Sequence, residues 1–243
     1  MEWNSPAVVL GTRKLGENDC ILEVMTSERG RHLGLVRGGR SRKKQPALQA
    51  GNHIDVIWRA RLSDHLGYFT VEPMKMRAAD LMNRPVGLLG VQVLASLLRL
   101  LPERDPHPAL YKALEIILDN LSEPVVAGAT LVRFELQMLK ELGFGLDLDA
   151  CAATGINEEL IWVSPKSGRA VSRSAGEPFA DRLLPLPAFL RPNALVGDID
   201  HAAMREAFEL SGFFLSRHVY QPRGLAWPEE RDRFLKALDR ELA

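Results

Sequence analysis

Two patterns of apolar positions follow one another along the chain. Through the first eighty residues the apolar runs are short and end in turn signals: "AVVLGTRKL" leads into Gly16-Glu17-Asn18-Asp19, "CILEVMT" into Ser27–Gly30, and "RHLGLVRGG" into a loop. "NHIDVIWRARL" and "GYFTVEPMKM" follow, separated by a turn near Ser63-Asp64. Runs of this length bounded by Gly, Asn, Asp and Ser read as strands. Ile54, Val56 and Trp58 alternate with Asp55 and Arg59, and only Ile57 is out of step. Five strands with no helical period predict a small barrel with Greek-key connections, and an OB-fold fits the size and strand count.

From Pro85 the period becomes helical. "PVGLLGVQVLASLLRLLP" opens on a proline suited to a first helical turn and stops at Pro102. Leu110, Leu114, Ile117 and Leu121 recur at spacings of three and four, as do Leu131, Phe134, Met138 and Leu142 before Gly143, a natural helix end. Residues 146–187 interrupt this rhythm: "LIWVSPKSGRAVS" reads as strand, turn, strand, and "EPFADRLLPLPAFLRP" as a proline-punctuated connector. Helices over Asp200–Val219 and Pro228–Leu242 complete the pattern. The fold class expected is α+β, an OB-fold barrel over residues 1–80 and a mainly helical domain over 81–243 that carries the small hairpin.

Composition sharpens this division. The chain has 243 residues, 46% of them hydrophobic, enough for two modest cores. Its most apolar segment, Val86–Leu101, is broken by Gln92 and Arg99, short of the roughly 20 apolar residues that a membrane span needs. "MEWNSPAVV" has no basic stretch leading into an apolar one, so a cytoplasmic protein is expected. Cys20 and Cys151 are too far apart in sequence to form a local metal or redox pair. The net charge of zero is an average: residues 1–80 carry thirteen Lys/Arg against nine Asp/Glu, a net +4, which leaves −4 for the remainder. Such asymmetry suits a first domain that meets a polyanion.

Catalytic signatures are absent. There is no Gly-Lys-Ser/Thr phosphate loop and no His-Glu-x-x-His; "GFGLDL" lacks the third glycine of a dinucleotide fingerprint, and "GGRSRK" the closing glycine of a nucleophile elbow. His32, His53, His65, His107, His201 and His218 are isolated. The pairs Asp147/Asp149 and Asp198/Asp200 lack the further ligands of a calcium loop. No enzyme, cofactor or metal is predicted.

The distinctive feature is the segment "GLVRGGRSRKKQPALQAG". From Arg29 to Lys44 there are seven Lys/Arg (Arg29, Arg31, Arg37, Arg40, Arg42, Lys43 and Lys44) and no acid, so the segment cannot neutralise itself. Gly38 and Gly39 would let a hinged main chain approach a phosphate backbone closely. Tyr68, Phe69 and Trp58 are candidate stacking platforms, since base stacking on aromatics tolerates any sequence. On the residues alone, two readings stand: a nucleic-acid binder, or an adaptor whose basic loop docks on an acidic protein.

The early strand pair, "VRGGRSRKK" followed by "ALQAG", and the later "RFELQMLKELGFG" together resemble the RecO family of bacterial recombination mediators, in the right order over nearly the whole chain. The resemblance implies an N-terminal OB-fold, a helical C-terminal domain and no enzymatic activity. It further implies binding of single- and double-stranded DNA, annealing of complementary strands, and joint action with RecR to load RecA onto DNA covered by single-strand-binding protein (SSB), with nucleoid association when DNA is bound. It places the acidic SSB tail on the helical domain, where Arg133 would meet its carboxylate and Leu136 or Leu139 would line the groove. Many members carry a zinc site of two Cys-x-x-Cys pairs after the "LGFG" helix. Here the first pair is "CAATG", with Thr154 in place of a cysteine, and the second is "SRSA", Ser172 to Ala175. One thiolate of four does not make a tetrahedral zinc site.

Overall fold

The computed structural model describes residues 1–191 and 199–242. By its internal contacts the chain divides into two units, residues 1–127 with 229–238, and residues 128–228 with 239–243.

The first unit is built on five strands: β1 (Glu2–Leu15), β2 (Asp19–Thr26), β3 (Gly30–Val36), β4 (His53–Arg59) and β5 (Tyr68–Lys75). They close in the order β1-β2-β3-β5-β4, the closure of an OB-fold barrel. Neighbours pair antiparallel except β3 and β5, which run parallel and touch at Leu35 and Tyr68. The alternation predicted in β4 is observed: Ile54, Val56 and Trp58 point inward, joined by Ala7, Val9, Leu22, Val24, Val36 and Phe69. Ile57, out of step in the sequence, faces outward with Asp55 and Arg59 and is half-buried, opposite Asn4 and Thr70. One end of the barrel is filled by rings, with Trp3, Trp58 and Phe69 around the buried His32 at centroid distances of 5.1–5.9 Å from it.

The basic loop is the most informative departure from expectation, because it is folded rather than hinged. Successive turns (Ser41 N–H to the Gly38 carbonyl, Gln45 N–H to Ser41, Leu48 N–H to Gln45) coil it along its length. The Gly38 N–H donates to the Asp19 carboxylate at 2.7 Å, and the Arg40 N–H to the Asn18 carbonyl at 3.0 Å. Leu48 then inserts into the barrel core, 4% exposed. Asn52, fully buried, closes the loop: its amide donates to the carbonyls of Pro46 and Ala47 and accepts from the Ala78 N–H. The glycine pair serves this geometry. Gly38 has φ +61°, and a Cβ on Gly39 would lie 2.4 Å from the Cys20 sulfur. Truncating the Leu48 plug to alanine would cost about 2–5 kcal/mol, the range for a buried leucine.

The short α1 (Ala78–Met82) leads into α2 (Pro85–Leu98) and α3 (Pro108–Asn120), whose prolines occupy first-turn positions. α4 (Pro124–Glu141) continues into the second unit, where Leu131, Val132, Phe134, Met138 and Leu139 are buried. The hairpin there consists of β6 (Leu160–Val163) and β7 (Ala170–Ser172), and β8 (Leu184–Pro185) adds a third strand to β6. The short α5 (Arg173–Gly176) follows β7, and α6 (His201–Leu215) is capped by Asp200, whose carboxylate accepts the Ala203 N–H at 2.7 Å. Asp198, its predicted partner, lies outside the described residues. Asp147 is spent on Arg169 at 3.0 Å. α7 (Glu229–Leu242) ends the chain, and its Phe234 packs near Gly90 in the first unit.

The hairpin holds its shape without the ligands of a zinc knuckle. The Cys151 sulfur is buried and accepts hydrogen bonds from the Ser172 N–H and hydroxyl, each at 3.3 Å. Burial pushes this thiol up, but hydrogen bonds from Ser172, Thr154 and the backbone outweigh it and bring it down to about 6. A hydroxyl and an amide aimed at one sulfur do not fit a tetrahedral cation, and among the described residues no group of three His, Cys, Asp or Glu converges to hold one.

Candidate nucleic-acid interface

Where β3 and β5 meet beneath the basic loop, the barrel carries a groove of about 790 Å³. Its rim carries Arg37, Lys43 and Lys44, the outward β5 residues Tyr68, Thr70 and Glu72 run along it with Arg59 of β4 beside Tyr68, and the core residues Val36, Leu48 and Phe69 line it from within. Strand periodicity decides which side chains reach the groove, since successive residues point to opposite faces. Tyr68 is 46% exposed and its neighbour Phe69 only 5%. The Arg37 guanidinium lies 4.6 Å from the centre of the Tyr68 ring, which joins a cation and an aromatic face in one platform.

The seven cations named from the sequence are not equivalent. Arg37, Arg42, Lys43 and Lys44 are exposed; Lys44 reaches back to the Arg37 carbonyl at 2.7 Å, which holds its ammonium on the rim. Arg40 is exposed but bridges the β1–β2 turn through the Glu17 carbonyl at 2.5 Å. Arg31 donates to Glu23 at 2.9 Å with both side chains largely covered, and Glu23 also takes Arg99 at 2.8 Å. Arg29 sits 5.9 Å from the Trp3 ring, at the other end of β3 and roughly 26 Å of strand away from Arg37. Arg29 and Arg31 therefore do not join the groove.

Phe69 is corrected from exposed platform to core: it is 5% exposed, its ring packs inside the barrel against Trp3 and His32, and it borders the groove only as part of the wall behind Tyr68. Trp58 is likewise interior, with its indole N–H donating to the Leu66 carbonyl at 3.0 Å. Arg59, Thr70 and Glu72 were missed. The inward set Ile54, Val56 and Trp58 signals that Arg59 faces outward, but its place beside Tyr68 depends on a β4–β5 register that one sequence does not contain. Arg59 is moreover paired bidentately with Glu2, at 2.8 and 2.9 Å, on the exposed surface.

In the second unit Arg133 is exposed, donates to the Phe189 carbonyl at 2.8 Å and lies 5.4 Å from that residue's ring. Leu136 is half-buried, whereas Leu139 is fully buried and is corrected to a core residue that lines no surface. Among the described residues no helix is long and apolar enough to cross a membrane.

Comparison with known proteins bears on the same two segments. The family model described as "Recombination protein O N terminal" matches residues 1–77, and the one described as "Recombination protein O C terminal" matches residues 83–225. The chain belongs to the RecO family. Curated relatives described as "DNA repair protein RecO" include those of Chelativorans sp. (strain BNC1), 57% identical over 100% of this chain and 97% of the relative, and Agrobacterium fabrum, 57% over 99% and 96%. The relative from Brucella abortus is 53% identical over 100% and 98%. The chain is thus a RecO-family DNA repair protein, and its barrel is the family's N-terminal domain.

Proposed function

We propose that the chain is a recombination mediator that binds single- and double-stranded DNA, anneals complementary strands, and with RecR helps to load RecA onto DNA covered by SSB. The observation that carries this reading is the groove: Arg37, Lys43 and Lys44 line the rim while Tyr68 exposes its ring beside them. Phosphates along the rim and bases against Tyr68 would be held without any reading of sequence. Because the loop is already folded by its own hydrogen bonds, little conformational freedom is lost when DNA binds.

Annealing then needs no chemistry. Cations on the barrel lower the repulsion between two phosphate backbones, and the strands pair by their own hydrogen bonds and stacking. A tether to SSB through the tail site at Arg133, flanked by Leu136, raises the local concentration of the annealing protein on covered DNA. In this reading the protein works by binding and displacement, not catalysis.

The deciding experiment is annealing of complementary oligonucleotides coated with the matching SSB. Joining of the coated strands is expected, together with a binding constant that falls with salt at about −0.7 per phosphate contact on single strands. A chain that binds acidic protein surfaces but shows no salt-dependent DNA affinity would be an adaptor instead. Arg133→Glu is expected to weaken capture of an SSB tail peptide while DNA binding persists, and loss of both together would refute that assignment.

A further inference from the structure

One residue of the groove is of the wrong sign for its purpose. Glu72 lines the same groove as the cations of the rim, and among the described residues neither Glu72 nor its cross-strand neighbour Asp55 takes part in an ion pair, whereas Glu2 is committed to Arg59.

The strand register shows how this charge is arranged. Across the outer face of β4 and β5, Arg59 stands opposite Tyr68, Ile57 opposite Thr70, and Asp55 opposite Glu72. The face therefore grades from an aromatic row, where Glu2 neutralises Arg59 and Arg37 covers Tyr68, through a neutral row to a row of two carboxylates. Four residues separate Tyr68 from Glu72, or about 13 Å of strand. A nucleic-acid strand that stacks a base on Tyr68 and follows β5 must carry its next phosphates toward the acidic row.

We propose that Glu72, with Asp55 beside it, is an acidic stop that ends the strand-binding track, confining single-stranded nucleic acid to the Tyr68 end of the groove and keeping each contact releasable. This rests on the strand-binding reading of the groove and adds the length of the site and the control of its grip. Phosphate held by Arg37, Lys43 and Lys44 is attracted at one end and repelled at the other, and the one cation of β5 beyond Glu72, Lys75, is already paired with Asp119 at 2.6 Å, so a longer strand gains little along β5. A short, weak hold suits a protein that must surrender its strand to a complement.

The test uses the full chain and fluorescent oligo(dT) of about 5 to 30 nucleotides at low salt, lengths that span the range of OB-fold site sizes. Glu72→Lys is expected to bind about tenfold more tightly and to cover a longer stretch, and Glu72→Gln about threefold more tightly. Glu28→Lys, an equal charge change in the exposed β2–β3 turn, is expected to alter affinity less than about twofold. Unchanged melting temperatures check that these surface variants fold. E72K binding no tighter than the Glu28→Lys control would overturn the stop. So would weaker binding of E72Q to oligo(dC) with oligo(dT) unaffected, since Glu72 would then be accepting hydrogen bonds from base amino groups. A wild-type chain that holds no oligonucleotide of any length would overturn the strand-binding reading beneath it, a result distinct from either.

Discussion

The two ends of β3 carry arginines from one uninterrupted basic run, yet they use them in opposite ways. At the β2–β3 turn, Arg31 is consumed by Glu23 and Arg29 lies over Trp3, beside an end of the barrel filled with rings. At the far end, Arg37 and the lysines of the loop line an open groove, and Arg37 covers an exposed tyrosine. The run is denser at the loop, with five cations over residues 37–44 against two over 29–36, but the role of each is decided by whether a carboxylate from another strand arrives. Glu23, on β2 opposite Leu33, decides the role of Arg31 from eight residues away.

Reversing the charges at the open end should produce the largest effect. Arg37→Glu, Lys43→Glu and Lys44→Glu together are expected to lower single-strand affinity on the order of 1,000-fold at low salt and to flatten the slope of log K against log salt by about 2. The melting temperature should change little, because all three side chains are exposed. Affinity that survives the triple change in a folded protein would move the binding surface elsewhere.

The closed end should instead show itself in stability. His32 is 3% exposed, and burial pulls its pKa from 6.5 to about 4. The native state therefore resists a proton that the unfolded chain accepts: this contribution is complete above pH 6.5 and is lost as the pH falls toward 4, by roughly 3 kcal/mol in all. Thermal unfolding of the wild type and His32→Gln between pH 7 and 4 checks it, with the variant expected to show the shallower acid dependence. Parallel curves would mean that the ring cluster does not set the acid limit.

Most of the fold was legible because periodicity is a local property. The alternation in β4 and the spacing from Leu110 to Leu121 each placed an element within a few residues of where it lies. The site was legible only in part. Neighbouring aromatics at Tyr68 and Phe69 look alike in composition, and the parity of the strand sends one outward and the other into the core. Leu139 was misread for the same kind of reason: it follows the apolar face of α4, which the second unit buries. The glycine pair suggested a hinge, but the partners that hold the loop, Asp19, Asn18 and Asn52, come from other turns. Non-local partners decide which cations are free, and a pattern of residue types does not encode them.

Within the groove, Tyr68→Ala is expected to weaken single-strand binding about tenfold, the lower part of the range for one stacked base, with little effect on folding. Tyr68→Phe should retain most of that affinity, because the ring face and its contact with Arg37 persist; a loss equal to that of alanine would shift the role from stacking to the hydroxyl.

The smallest effect on DNA is expected at Arg31, where the comparison between the two ends is most exposed to failure. Arg31→Ala removes a partly covered partner of Glu23, but Arg99 still contacts the other carboxylate oxygen at 2.8 Å. The loss of stability should therefore stay near 1 kcal/mol rather than the larger penalty of an orphaned buried charge. DNA affinity should fall less than about threefold, since a paired guanidinium releases few counterions when DNA binds. A fall as large as that of Arg37→Ala would show that Arg31 leaves Glu23 for a phosphate, and the two ends of β3 would then form one continuous binding surface.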